Sequence, residues 1–290
     1  MKNNYLSGLI CFLLFFSCEF DKSVKKDLVT GLKGSGNGLS CDAIYLTSND
    51  TKLNTSSFIY GEVFKVNFEN ISGFNKEENF AFPGMKFLIT SEAGDTLMHN
   101  TDLYENNAKG FDLSPLLLLT EITTGAPLNS GGNYNLQVQI WDKKGEGTYS
   151  SELDFEVIPN PKIAIESDEI SYEEIYLYSD LRKTVLPNNS AKYGEEIYLL
   201  LEGLDGFKDD NGLSYIGVRM KATDANNNII INEADLIGDS PINISDLQSQ
   251  LAPNFIFQET DIKSPIACEV YVWDKRGEHT IEVNFSLTLE

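Results

Sequence analysis

Trp141-Asp142-Lys143-Lys144-Gly145-Glu146 returns 132 positions later as Trp273-Asp274-Lys275-Arg276-Gly277-Glu278. A chain that carries one segment twice at this spacing is built from two copies of one unit, so the fold must be one that each copy can complete alone. Each motif follows an alternating run, Leu136 to Ile140 in the first copy and Cys268 to Val272 in the second, which places it at the tip of a β-hairpin. By the same alternation Leu136, Val138 and Ile140 face a core. Trp141 falls with Gln137 and Gln139, and Trp273 with Glu269 and Tyr271, on the opposite face.

The register holds along the whole unit. Ile44-Tyr45-Leu46-Thr47-Ser48 matches Ile175-Tyr176-Leu177-Tyr178-Ser179, and Tyr60-Gly61-Glu62 before the run Val63 to Glu69 matches Tyr193-Gly194-Glu195 before Glu196 to Glu202. Gly73-Phe74 maps on Gly206-Phe207. Short alternating runs separated by turn residues predict an all-β chain of two tandem antiparallel sandwiches, 41–158 and 162–290. Ile158-Pro159-Asn160-Pro161 is the boundary, because two prolines end the last strand of the first copy and stiffen the link. The alternation after Lys162 adds a strand to the second copy. Ser114-Pro115 ahead of Leu116 to Leu119, and Ile244 to Leu251 ahead of Pro253, predict short helical inserts.

The residues Gly61-Glu62, Tyr134, Asp142 and Gly145, with Gly194-Glu195, Asp274 and Gly277 in the second copy, resemble the pattern of bacterial immunoglobulin-like and PKD-like surface modules. Ile266 stands where the second copy would carry its counterpart of Tyr134. The resemblance implies an immunoglobulin-like sandwich and names no particular family.

The chain opens on Lys2 and an apolar run from Tyr5 to Phe16, which has the length of a signal-peptide core and falls short of a membrane span. Leu14-Phe15-Phe16-Ser17-Cys18 resembles the lipobox of bacterial lipoproteins, where a small residue precedes the cysteine that becomes the acylated N-terminus. That resemblance implies a signal peptide over 1–17, lipidation (palmitate and related acyl chains) at Cys18, and an outer-membrane lipoprotein whose body meets the membrane through its anchor only. Residues 18–40, lysine-rich and then glycine-rich, predict a flexible tether.

The 44 acidic residues against 22 basic ones, a formal net charge of -22, leave no cationic track for a phosphate backbone, which argues against nucleic acid. Cys41 and Cys268 fall in different copies and are expected as buried free thiols. The two histidines, His99 and His279, are not equivalent, and no HExxH, G-x-S-x-G or Walker-type loop occurs. A calcium loop is echoed at Asp224-Ala225-Asn226-Asn227-Asn228, but Ile229 replaces the required glycine, and a turn explains it better. No cofactor is expected.

The expected function is a non-enzymatic cell-surface binding module for a protein or glycan, with Trp141, Trp273 and Tyr271 as candidate contacts. The alternatives are an accessory subunit of an envelope transport or secretion complex, and a hydrolase with paired carboxylates.

Overall fold

The computed structural model describes residues 22–258 and 262–290. The signal segment and Cys18 lie outside the described residues. In the first domain the strands are β1 (Lys22–Lys26), β2 (Lys33–Asn37), β3 (Ala43–Ser48), β4 (Thr51–Lys52), β5 (Ser57–Ile59), β6 (Val63–Glu69), β7 (Pro83–Ser91), β8 (Thr96–Asn100), β9 (Leu118–Thr123), β10 (Asn133–Asp142) and β11 (Thr148–Ile158). One sheet runs β1-β2-β11-β10-β7-β8, with β5 parallel to β11, and the facing sheet runs β4-β3-β6-β9.

The second domain repeats this plan. Its strands are β12 (Ile163–Asp168), β13 (Glu174–Ser179), β14 (Thr184–Val185), β15 (Ser190–Ala191), β16 (Glu196–Glu202), β17 (Leu213–Ser214), β18 (Ile216–Thr223), β19 (Ile229–Glu233), β20 (Ile242–Asn243), β21 (Asn254–Ile256), β22 (Ile266–Asp274) and β23 (Thr280–Leu289), with a helix α1 (Ile244–Ser249) after β20. The sheets run β12-β23-β22-β18-β19 and β14-β13-β16-β21, and β15 lies parallel to β23 as β5 does to β11. Both halves are immunoglobulin-like antiparallel sandwiches.

Strand alternation is the cause of the layering. In β10 every second residue from Tyr134 to Asp142 is buried, and β6, β9, β11, β22 and β23 show the same two-residue period. Phe58 and Phe64 stack at 4.0 Å with Phe155 edge-on to both, all three enclosed in the first core. Each such ring contributes about 1.5–3 kcal/mol of burial. Tyr134 keeps its hydroxyl satisfied by donating to the Asn129 carbonyl at 2.8 Å, the tyrosine corner at the start of this strand in immunoglobulin-like sandwiches. The second domain, with Ile266 in that place, buries an all-apolar side chain instead.

Two expectations need correction. The segment expected as a flexible tether is, from Lys22 onward, the β1–β2 hairpin, and β2 pairs with β11. Its inward positions are Gly34 and Gly36, and the Tyr149 ring lies over Gly34 where a side chain would otherwise stand. Leu32 and Leu39 at its ends are buried in the first core. Glycine here makes room for a neighbour, so its composition mimics that of a linker. Likewise Ser114-Pro115 starts no helix: Leu118, Thr120 and Ile122 alternate inward along β9, and that two-residue period prevails over the local start signal. The insert of the second copy is helical, with Leu247 buried.

The boundary is pinned. Asn160 donates to Asn189 Oδ1 at 2.8 Å and to the Pro187 carbonyl at 3.2 Å, and its own Oδ1 accepts the Lys162 N–H. Tyr60 of the first domain and Tyr176 of the second lie 5.0 Å apart, and Tyr176 donates to Glu202 at 2.6 Å. Glu174, buried from β13, accepts both the backbone N–H and the hydroxyl of Ser130 across the junction. Burial raises its carboxyl above the usual range, the two Ser130 bonds offset part of this, and the Glu202 charge adds to the rise. A raised carboxyl stabilises the folded protein most below the ordinary Glu range, and that contribution is lost as pH rises through the elevated value. Glu174→Gln should therefore raise the melting temperature more at neutral than at mildly acidic pH. An increment independent of pH in scanning calorimetry would contradict the assignment.

Candidate functional site

The twice-repeated hairpin proves to be a clamp, built on one plan in each copy. Asp142 is buried at the end of β10, where its Oδ2 accepts the Asn75 N–H at 2.6 Å and its Oδ1 the Lys144 N–H at 2.9 Å. Asp274 does the same for Lys208 at 2.6 Å, Arg276 at 2.8 Å and Gly277 at 2.9 Å. The carboxylate thus closes its own turn and ties it to the crossing loop after Gly73-Phe74 or Gly206-Phe207. The following lysine reaches sideways: Lys143 pairs with Asp102 at 2.6 Å and Lys275 with Asp235 at 2.5 Å. Asp102 also accepts the Met85 and Tyr104 N–H groups, and Asp235 those of Val218 and Ile237. Burial alone would raise both carboxyls, but the lysines and backbone donors outweigh it and hold both below the usual Asp range. The pairing of Asp102 and Asp235 with the motif lysines escaped the sequence reading, although Asp-Leu recurs there at a spacing of 133, within one residue of the motif's own.

The tryptophans stand off the core, on the outer face of each large sheet. In register Trp141 faces Gly84 and Trp273 faces Gly217, and a Cβ on either glycine would overlap the indole. Each ring therefore covers a glycine of the neighbouring strand and is half-buried there, which is a structural role for the residue that the two copies share. Tyr271 stacks on Trp273 at 5.8 Å, and the Arg219 guanidinium lies 4.8 Å over its ring.

Equivalent outer faces have diverged. Around Tyr271 the second domain satisfies its own side chains: Arg219 pairs with Glu269 at 2.5 Å, and Asn284 donates to Glu282 at 2.8 Å. A hollow of about 370 Å³ remains beside Trp273. In the first domain, Lys86 and Gln139 occupy the positions of Arg219 and Tyr271, with Ser150 and Ser35 on the next strands. Among the described residues Gln139, Ser150, Ser35 and Lys86 make no side-chain hydrogen bond or ion pair with one another, and the face forms a shallow hollow of about 980 Å³ reaching from Val24 of β1 to His99 of β8. This is at the upper end of ligand-site volumes. Strand parity could show that these residues point outward; it could not show that they are paired in one copy and unpaired with one another in the other.

Other candidates are accounted for locally. Asp224 Oδ1 accepts the Asn226 and Asn228 N–H groups, both at 2.8 Å, and Oδ2 the Asn228 amide, so the carboxylate is committed to its turn. Asp209 caps the Gly212 N–H in the same manner. Cys41 and Cys268 are free thiols buried in separate cores, and burial pushes both thiols up. His99 is exposed on β8, and His279 meets the Gly206 carbonyl at 2.7 Å. No cluster of three metal-ligating side chains occurs among the described residues.

No family model matches the sequence, and no curated protein does. Among solved structures, the fibronectin(III)-like modules of Clostridium thermocellum CbhA align with 84% of this chain and 94% of theirs, at 10% identity and a TM-score of 0.21. Dimeric latent PorU from Porphyromonas gingivalis aligns over 87% of this chain but 20% of its own length, at 11% identity and a TM-score of 0.26. The structure of pT26-6p aligns over 89% of this chain and 64% of its own, at 9% identity and a TM-score of 0.27. The architecture rests on the strands themselves.

Proposed function

We propose that the protein is a non-enzymatic lipoprotein of the bacterial cell envelope that binds a protein or glycan partner on the outer face of its first sheet. The observation that carries this reading is the divergence of two faces that share one topology: around Tyr271 the second pairs Arg219 with Glu269 and Asn284 with Glu282, and at the equivalent place in the first Lys86, Gln139, Ser35 and Ser150 make no side-chain hydrogen bond or ion pair with one another. A lipid on Cys18 holds the body at the outer membrane, with β1 beginning four residues later. Among the described residues no helix is long and apolar enough to cross a membrane.

The anchor has its own test. Cys18→Ser should move the protein from the membrane fraction to the soluble one, and mass spectrometry of the wild type should find an acylated cysteine at the mature N-terminus. An unmodified N-terminus elsewhere would remove the anchor. For the binding face, the wild type and a Lys86→Ala/Gln139→Ala variant should be compared in pull-downs from detergent-solubilised envelope. Loss of the captured partner in the variant supports the reading; equal capture moves the ligand off this face. Recovery of stoichiometric membrane subunits would favour the accessory-subunit alternative.

A further inference from the structure

The hollow on the outer face of the first domain is locally cationic in an acidic molecule. The chain carries -22 overall, yet the cations Lys33 and Lys86 line the hollow of the first domain against the single carboxylate Glu152. Lys26 pairs in register with Lys33 at the edge of the same sheet and adds a third cation beside it. Glu152 stands opposite Lys33 in register and is engaged by the Asn135 amide at 3.0 Å. Both lining lysines are exposed, and among the described residues neither makes an ion pair. An anion arriving here meets free ammonium groups in a protein whose remaining surface repels it.

The neutral groups narrow the class. Gln139, Ser35 and Ser150 offer amide and hydroxyl groups on three successive strands, β2, β11 and β10, while the Gln137 amide donates to Asn135 Oδ1 at 3.0 Å, and their backbone N–H and C=O groups are taken up by the sheet ladders. A polyhydroxylated chain can exchange hydrogen bonds with every row. Strands about 4.8 Å apart place Lys33 and Lys86 roughly 15 Å from each other, so one ligand that meets both must be an oligomer.

We infer that the outer face of the first sheet takes a carboxylate-bearing glycan, its acid groups on Lys33 and Lys86 and its hydroxyls on Gln139 and the serines between them. This rests on the proposal that this face is the binding face. The test is calorimetric titration of the full mature chain carrying Cys18→Ser, against a polygalacturonate oligosaccharide, its carboxyl-reduced neutral counterpart, and a poly-glutamate peptide. Binding of the uronate, weakened by salt, should fall on the order of tenfold or more in Lys33→Glu/Lys86→Glu. It should stay unchanged in Lys221→Glu on the second domain's face. Equal binding of the neutral oligosaccharide, stronger binding of poly-glutamate, or no binding of the uronate would each overturn the inference. If envelope pull-downs still depend on Lys86 and Gln139 while the uronate does not bind, the glycan class fails and the binding face stands. If neither depends on the face, both fail.

Discussion

Asp142→Ala should destabilise the first domain by about 3–5 kcal/mol, and Asp274→Ala should do the same to the second. The carboxylate is buried and accepts backbone donors from its own turn and from a loop 67 residues away, so its removal takes the partner from N–H groups of both segments. Hydrogen bonds to a charged acceptor contribute about 1.5–3 kcal/mol each, and the clamp in each copy makes at least two. Asn in place of Asp keeps one acceptor and should cost less. The measurement is equilibrium denaturation, in which each variant should lower the transition of its own domain. A change below about 1 kcal/mol in either would mean that water satisfies these donors and that the carboxylate is dispensable.

The second large effect concerns the tryptophans. Valine at Gly84 or Gly217 places branched carbon where the indole of the next strand lies. The ring must leave its seat, and overpacking of this kind costs about 1–3 kcal/mol. The chain has only Trp141 and Trp273, so the Gly84 variant is read cleanly in a Trp273→Phe background. Emission should shift to longer wavelength as the Trp141 ring swings into water. An unshifted spectrum with unchanged stability would mean that the ring does not need the glycine, and would reopen Trp141 as a residue kept for a ligand.

These two results decide between the meanings that a repeated motif can have. From the letters alone, Trp-Asp-Lys-x-Gly-Glu reads more as the closing hairpin of a duplicated sandwich than as a ligand-binding tip, with the exposure of its tryptophans left open. The duplication and the strand parity were legible: the hairpins, the sandwiches and the outward placement of Trp141 and Trp273 all follow from spacing and alternation. The β1–β2 hairpin was not legible, because Gly34 is there to admit the side chain of Tyr149 and Gly36 to admit the Leu39 carbonyl, and the size of an inward residue reports on its neighbour as much as on itself. Nor was β9, where a serine-proline start is outvoted by the inward alternation of Leu118, Thr120 and Ile122. The polar face of the first sheet was beyond reach for a related reason. Gln139 and Tyr271 occupy one position in the repeat, and only the neighbouring strands reveal that Tyr271 lies under Arg219 while Gln139 has no such partner.

Hydrogen exchange read by mass spectrometry tests the central claim, that the repeated hairpin holds each sandwich together through its aspartate. In the wild type the amides of Asn75, Lys144, Lys208, Arg276 and Gly277 should be protected. In Asp142→Ala the protection of Asn75 and Lys144 should be lost while that of Lys208, Arg276 and Gly277 persists, and Asp274→Ala should show the reverse. Retained protection at Asn75 in Asp142→Ala would contradict the clamp and return the motif to the list of candidate binding elements.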